Sequence, residues 1–260
     1  MKIIVCVKQV PDTAEVRIDP VKGTLIREGV PSIMNPDDKA GLEAALGLKD
    51  TLGAHVSVIT MGPRQAEEVL REALAMGADA AYLISDSAFS GADTWATSST
   101  LAGAISKLEY DLVITGRQAI DGDTAQVGPE TAEHLNIPHI SYCEELQIDG
   151  DEIVVKRQFE DRYQILSAKM PALVTVLGEM NQPRYMTPGG IFDAYREKEV
   201  VLWTRADIPV ETGNIGLKGS PTRVTKTNPK SLKEPGIKIE TGVEESVQFL
   251  VEKLKEKFIL

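Results

Sequence analysis

The chain has 260 residues, 42% hydrophobic and 26% charged, enough to bury a full core in one large α/β domain with an appendage, or in two modest domains. A formal net charge of −11 argues against nucleic-acid binding, which needs a basic face. Two cysteines, Cys6 and Cys143, are too few and too far apart for a disulfide framework or a cysteine metal site, and read as buried reduced thiols.

The opening "MKIIVCVKQV" is too short an apolar run for a signal segment and lacks a cleavage site; no stretch of the chain reads as a membrane span. A cytoplasmic protein with no membrane partner is the expectation. Ile3–Val7 is rich in β-branched residues and predicts a buried parallel strand. In "DDKAGLEAALGLKDTL", Leu42, Ala45, Leu46, Leu48 and Leu52 fall at helical spacing, with Asn35 or Asp37 as the cap. "HVSVITMG" predicts a second strand, "RQAEEVLREALAMG" an amphipathic helix closed by Gly77, and "AAYLISD" a third strand. "TWATSSTLAGAISKL" follows as a helix, "YDLVITG" as a fourth strand and "PETAEHLNI" as a further helix. Strands alternating with helices at this spacing predict a doubly wound, mostly parallel sheet covered on both faces.

Beyond about residue 140 the texture changes. "ELQIDGDEIVVKRQFEDRYQILSAKMPALVTVL" reads as a β-meander with "DGDE" as a hairpin turn. Asn181–Val200 reads as a Pro/Gly-interrupted loop, made mobile by Gly189 and Gly190, leading into a charged amphipathic segment. From about Arg205 apolar periodicity is lost and the chain reads as an extended arm. It closes on a helix whose Val247, Leu250, Val251, Leu254 and Phe258 form one stripe. The expected division is an α/β domain over 1–204 and an arm with its helix over 205–260. The stripe suits docking on the chain's own body or, by preference, on a partner subunit.

Ligands of open α/β sheets bind beyond the carboxyl ends of the strands. Here those ends carry "KQVPDT", "MGPR" and "GRQAIDGDTAQVG". The last has neither a Walker pattern nor the GxGxxG fingerprint. Gly122 and Gly128 would let backbone approach a ligand, Gly128 would cap a helix with Pro129 in its first turn, and that helix N-terminus favours an anion. Thr124 and Gln126 offer neutral hydrogen bonds. Asp121 and Asp123 oppose phosphate, but suit a cap, a ribose hydroxyl or Mg²⁺. From the residues alone the loop is a nucleotide cradle or a capped surface loop, with neither favoured. His55, His134 and His139 lack metal-ligand spacing, and Trp95 and Trp203 read as packing. Lys8 is either a solvated charge or a contact to phosphate or to a flavin carbonyl.

"CVKQVPDT", "MNPDD", "MGPRQAEEVLREALAMGADAAYL", "GRQAIDGDTAQVGPE", "VKRQFEDRYQILSAKMPALVT" and "NQPRYMT" together resemble the β subunit of electron transfer flavoproteins. The resemblance runs from Met1 to about Val201 and more loosely through the arm. Arg162 departs from it, standing where a small or acidic residue is expected. It implies a heterodimer with an α subunit that holds an electron-carrying FAD and receives the arm. It also implies an adenine-nucleotide pocket. Its phosphate loop takes in Gly116, Arg117, Gln118, Ala119, Ile120, Asp121, Gly122, Asp123, Thr124, Ala125, Gln126, Val127, Gly128 and Pro129. Cys6, Val7, Lys8, Asp12 and Thr13 join from the first loop, Asn35, Pro36, Asp37 and Asp38 from the second, Met61 and Gly62 from the third.

In conventional members the ligand there is AMP, a structural nucleotide. In the bifurcating branch, which "KQVPDT" and "DGDTAQVGP" resemble more, it is a second FAD. That branch takes hydride from NADH, sends one electron to ferredoxin or flavodoxin, and sends the other through the α-side FAD to a dehydrogenase. Lys8 or Arg117 would then stabilise negative charge on the flavin, and Asp12 and Thr13 would hydrogen-bond it or the nicotinamide. The segment Tyr185, Met186, Thr187, Pro188, Gly189, Gly190, Ile191 and Phe192 is similar to the loop that docks acyl-CoA dehydrogenases. Pro188 replaces the leucine anchor common there, which hints at a different partner. A stand-alone adenine-nucleotide hydrolase or stress-type binding protein explains neither the arm nor this loop.

Overall fold

A computed structural model describes residues 1–12, 17–18, 25–26, 31–223 and 236–260. Thr13 and residues 224–235 of the expected arm lie outside the described residues. In chain order the strands are β1 (Lys2–Cys6), β2 (Gln9–Pro11), β3 (Arg17–Ile18), β4 (Leu25–Ile26), β5 (Ser32–Met34), β6 (His55–Met61), β7 (Ala80–Ile84), β8 (Leu112–Gly116), β9 (His139–Asp149), β10 (Glu152–Gln158), β11 (Tyr163–Lys169), β12 (Ala172–Val176) and β13 (Val200–Trp203). The α-helices are α1 (Pro36–Leu52), α2 (Glu67–Met76), α3 (Thr94–Ile105), α4 (Val127–Leu135), α5 (Pro188–Arg196), α6 (Gly216–Gly219) and α7 (Val243–Glu256).

The main sheet among the described residues has nine strands in the order β11-β10-β9-β12-β8-β1-β6-β7-β13. From β9 through β12, β8, β1, β6 and β7 to β13 every neighbouring pair is parallel; β9, β10 and β11 pair antiparallel. This is the expected α/β class. The apolar run of β1 is buried on both faces because helices cover both. Ile3 and Val5 face the cluster that holds Leu42, Leu46, Leu70 and Leu74 of α1 and α2. Ile4 and Cys6 face Leu101 and Ile105 of α3 and Ala132 of α4. Burying such a side chain contributes roughly 1.5–3 kcal/mol.

The chain winds from β1 through β6 to β7 on one side of the sheet, and α3 returns it to β8 on the other side of β1. The strand order therefore reverses between β1 and β8, and a ligand crevice is expected at their carboxyl ends.

The predicted meander is correct only in part. The "DGDE" turn joins β9 to β10 and β11 completes the antiparallel ribbon, but β12 enters the parallel sheet between β8 and β9. Its all-buried "ALVTV" is the pattern of a strand covered on both faces. Leu52 sits on the last turn of α1 and is 55% exposed, outside the core stripe. Residues that read as the start of the arm also fold back, with Ile208 and Ile215 buried beside Phe89 and Leu101. Asp93 at the N-cap of α3 accepts hydrogen bonds from the backbone N–H and hydroxyl of Thr222, at 2.9 and 2.7 Å.

One compact unit spans Met1–Thr225 and a second spans Lys226–Leu260. In the second, α7 exposes Val247 and Leu250. It ends at Glu256, so Phe258 lies past the helix at positive φ and does not extend the stripe. Among the described residues no helix is long and apolar enough to cross a membrane.

Candidate functional site

The loops after β1 and β8 meet at the reversal of strand order, and side chains from the start of α1 join them. Asp38 is buried; its Oδ2 accepts the backbone N–H of Lys8 at 2.8 Å and its Oδ1 that of Gly116 at 3.0 Å. Asn35, fully buried, donates to the Gln118 carbonyl at 2.9 Å and accepts the Ile120 N–H at 3.0 Å. Asn35 was an expected helix cap. It occupies the N-cap position of α1, but its side chain caps the loop after β8 instead of the helix. Asp37 lies in the first turn and makes no cap either.

Gly116 makes this approach possible. A Cβ there would stand 2.3 Å from Asp38 Oδ1 and 2.7 Å from the Asp38 backbone nitrogen.

The two loops also lock to each other. Lys8 Nζ lies 2.7 and 2.9 Å from the Asp121 oxygens, and Gln118 donates to Asp123 at 3.0 Å. The carboxylates that oppose phosphate are thus engaged elsewhere. Arg117 Nε lies 3.4 Å from Asp37 Oδ2, yet both atoms are buried and neither makes a hydrogen bond. Burial pushes the Asp37 carboxyl up, against the pull of Arg117. Burial likewise pushes Asp38 up to about 7, with Asn35 and the N–H groups of Lys8 and Gly116 pulling it back.

Beyond Asp123 the backbone takes positive φ at Asp123 (51°) and Ala125 (53°), then enters α4 at Val127. Glu130 returns its N–H to the Gln126 carbonyl. The N–H groups of Thr124, Ala125, Gln126 and Val127 have no acceptor among the described residues. Two of these donors, Gln126 and Val127, belong to the N-terminus of the nine-residue α4 and two to the loop just before it, the kind of end that favours an anion. Gly122 has open space around it, so backbone there is approachable.

Gly128 is not the cap. Gln126 holds that position, and Gly128 is buried in the first turn, where a Cβ would meet Thr115 Oγ1 at 2.7 Å and Thr175 Cγ2 at 2.8 Å. Its bareness seats α4 on β8 and β12, and Pro129 follows in the same turn.

The remaining expected pocket residues sit at the same edge with different roles. Cys6 is buried at the end of β1, and burial pushes its thiol up to about 12, so it is inert. Val7 donates its N–H to Ile59, and Gly62 donates its own to Ile84. Met61, at the end of β6, packs on the α3/α4 side of the sheet. Asp12 donates its N–H to the Pro31 carbonyl beside the β2–β5 ribbon. Pro36 is the first residue of α1. Among the described residues no cluster of His, Cys, Asp or Glu is arranged to hold a metal ion.

The second expected site is largely helical rather than a loop. Thr187 caps α5 by accepting the Gly190 N–H at 3.0 Å, and Pro188 and Gly189 fill its first turn. Gly190 rests on α2, where a Cβ would lie 2.3 Å from the Ala75 carbonyl oxygen. Arg71 of α2 donates to the carbonyls of Ala194 and Lys198, and Lys198 donates to those of Leu74 and Ala78. A cation of α2 and one just past the end of α5 thus each lie at the C-terminus of the other helix. Outward from this fixture stand Tyr185 (93% exposed), Phe192 (59%) and Tyr195 (62%), with Met186 and Ile191 beside them.

A groove of about 570 Å³ runs alongside, lined by Lys39, Glu72, Met76, Pro183 and Tyr185 among others. Arg184 anchors that segment through its backbone N–H at 2.9 Å and its guanidinium at 3.0–3.2 Å on Glu43, and through one bond to Asp50 at 2.8 Å. Sequence reading missed Arg71, Arg184 and Lys198, whose partners lie 123 to 141 residues away for the first two and 120 for the last.

Fold and site define a doubly wound α/β protein with unpaired backbone N–H groups at the reversal of strand order and an exposed apolar face on α5 and the segment before it. A family profile described as "Electron transfer flavoprotein domain" matches residues 22–208. "Electron transfer flavoprotein subunit beta" of Clostridium acetobutylicum is 60% identical over 257 residues, 99% of each chain. "Caffeyl-CoA reductase-Etf complex subunit CarD" of Acetobacterium woodii is 54% identical over the whole of both chains. "Acryloyl-CoA reductase electron transfer subunit gamma" of Anaerotignum propionicum is 46% identical, again over the whole of both. The chain belongs to the electron transfer flavoprotein family.

Proposed function

We propose that this chain is the β subunit of a heterodimeric electron transfer flavoprotein, and that its crevice binds FAD through the adenylate half. The observation that carries this is the row of free N–H groups at Thr124–Val127, at the start of α4 and beside the reversal of strand order. Such a row suits a phosphate or pyrophosphate, and Lys8 offsets the charge of Asp121 while Gln118 engages Asp123. Arg117, whose Nε makes no hydrogen bond, is the proposed cation for the rest of the ligand.

Bound there, FAD would supply hydride and single-electron chemistry. The chain's own part is to hold and orient. Asn35 and Asp38 fix the loops, Lys8 neutralises Asp121, and the N-terminus of α4 takes the phosphate. NADH is the proposed donor. One electron is proposed to pass to ferredoxin or flavodoxin, and the other through an FAD on the α subunit to an acyl-CoA-type dehydrogenase. The printed names of the relatives from Acetobacterium and Anaerotignum, an Etf complex and an electron transfer subunit of CoA-ester reductases, support that partner class. The exposed Tyr185, Met186, Ile191 and Phe192 are its proposed contact, and α7 is proposed to dock on the α subunit.

The test is a flavin count after co-expression with the α subunit. Two FAD per heterodimer supports the reading. One FAD, with AMP in the extract, would instead make the cradle a structural nucleotide site and the chain a conventional electron carrier subunit.

A further inference from the structure

A buried carboxylate beside a phosphate cradle is electrostatically misplaced unless it does other work. Both Asp38 oxygens are in use, each on a strand end at opposite sides of the crevice: Oδ2 on Lys8 and Oδ1 on Gly116. We propose that Asp38 is a positioning residue for the nucleotide: its ionised carboxylate holds the loops after β1 and β8 in the one relation that presents the cradle. This rests on the nucleotide reading above and gives Asp38, one of the expected pocket residues, the role of setting the two loops.

Lys8 links the two halves of the argument. Its N–H is held by Asp38 and its ammonium holds Asp121, so freeing the first loosens the second. Protonating Asp38, or replacing it with asparagine, turns one acceptor into a donor and sets it against a backbone N–H. Burial has already brought the carboxyl up to about 7, so protonation falls within an ordinary pH range. The groups facing it are Asp37 and Asn35 of α1, the Cys6 thiol of β1, Lys8 with its ammonium turned to Asp121, and Arg117 after β8, paired with Asp37.

The sign of the stability effect separates positioning from simple structural support. An acid whose pKa is raised by folding stabilises the fold below its ordinary range and loses that contribution as pH rises through the folded value. Neutral Asp38→Asn is therefore expected to leave the thermal midpoint at pH 8 no lower than the parent's, while nucleotide affinity falls.

The experiment titrates AMP into the full-length chain, freed of nucleotide, at pH 6 and pH 8 by calorimetry, for the parent and Asp38→Asn. The ligand phosphate titrates alike in both and cancels in the comparison. The expected result is a parent affinity that tightens about tenfold more between pH 6 and 8 than the variant's. At pH 8 the variant should bind at least tenfold more weakly, with faster amide exchange at Lys8 and Gly116. Equal affinities, or parallel pH dependence, overturn the positioning role. A variant that binds weakly and also melts well below the parent at pH 8 overturns it in favour of a structural role. If the variant does not fold, the parent alone decides, because an affinity that changes no more than the phosphate's own titration requires overturns the proposal. A parent that binds no AMP overturns the nucleotide reading itself, and its own isotherm distinguishes that outcome.

Discussion

Replacing Gly116 with alanine puts a methyl group 2.3 Å from Asp38 Oδ1, 2.7 Å from the Asp38 nitrogen and 2.8 Å from the Asp37 carbonyl carbon. Two of these three atoms are backbone of the first turn of α1, so no rotamer change relieves the clash. Either α1 or the end of β8 has to move. Overpacking of this kind costs roughly 1–3 kcal/mol. Moving α1 also disturbs the hydrogen bond from Gly116 to Asp38 while, unlike Asp38→Asn, leaving the carboxylate's charge buried with one bond fewer, which costs about 1.5–3 kcal/mol. The two overlap, and about 4 kcal/mol is the expected total. For a unit of this size that lowers the thermal midpoint by about 8–16 °C.

Gly122→Ala is the control, because its Cβ meets nothing within 4 Å. It is expected to change stability by about 0.5 kcal/mol or less. Thermal melts of the two variants and the parent, read by far-ultraviolet circular dichroism, give the comparison. A Gly116→Ala midpoint within 2 °C of the parent would refute the claim that α1 and β8 are in closest permissible contact.

Three further outcomes follow from the geometry. Lys8→Ala leaves Asp121 without its partner and beside the cradle, so AMP affinity should fall about tenfold with stability little changed; titration calorimetry in low salt measures it, and an unaltered affinity contradicts the pairing. Cys6 and Cys143 are both pushed up to about 12 by burial, so each stays a neutral thiol and favours the fold until pH rises from the ordinary thiol range toward 12. Neither should react with Ellman's reagent at pH 8 until denaturant is added, and prompt labelling of the native chain would show the burial to be wrong. Phe192→Ala removes an exposed ring, so melting should shift by less than about 0.5 kcal/mol while electron transfer to the partner dehydrogenase slows at least tenfold, in stopped-flow measurement of the co-expressed complex.

Much of the fold was legible because it is written in local pattern. The apolar runs of β1 and β8 and the helical spacing of Leu42, Ala45 and Leu46 recur in the structure as they read in the chain. So did the polar loop between β8 and α4. What escaped depends on contacts far apart in sequence. The strand β12 looks like the end of a meander until its neighbour is known to be β8, some 60 positions earlier. Gly128 suggested a cap because caps are local, whereas Thr115 and Thr175, which forbid a side chain there, are not. Gly189 and Gly190 suggested mobility, but Gly190 is small because α2 lies against it. Asn35 and Asp38 drew attention through resemblance, but the bonds that explain them cross 78 to 85 residues to the loop after β8 and 30 to Lys8.

The crossed capping of α2 and α5 has a consequence for how this protein can change over generations. Arg71 and Lys198 hold the two helices through main-chain carbonyls, which every residue possesses. The outward side chains at 185, 186, 191 and 192 contribute little to that grip. They can be exchanged while the platform beneath them stays put, so, if they are the partner contact proposed above, a lineage can change that contact in small steps without passing through an unfolded intermediate.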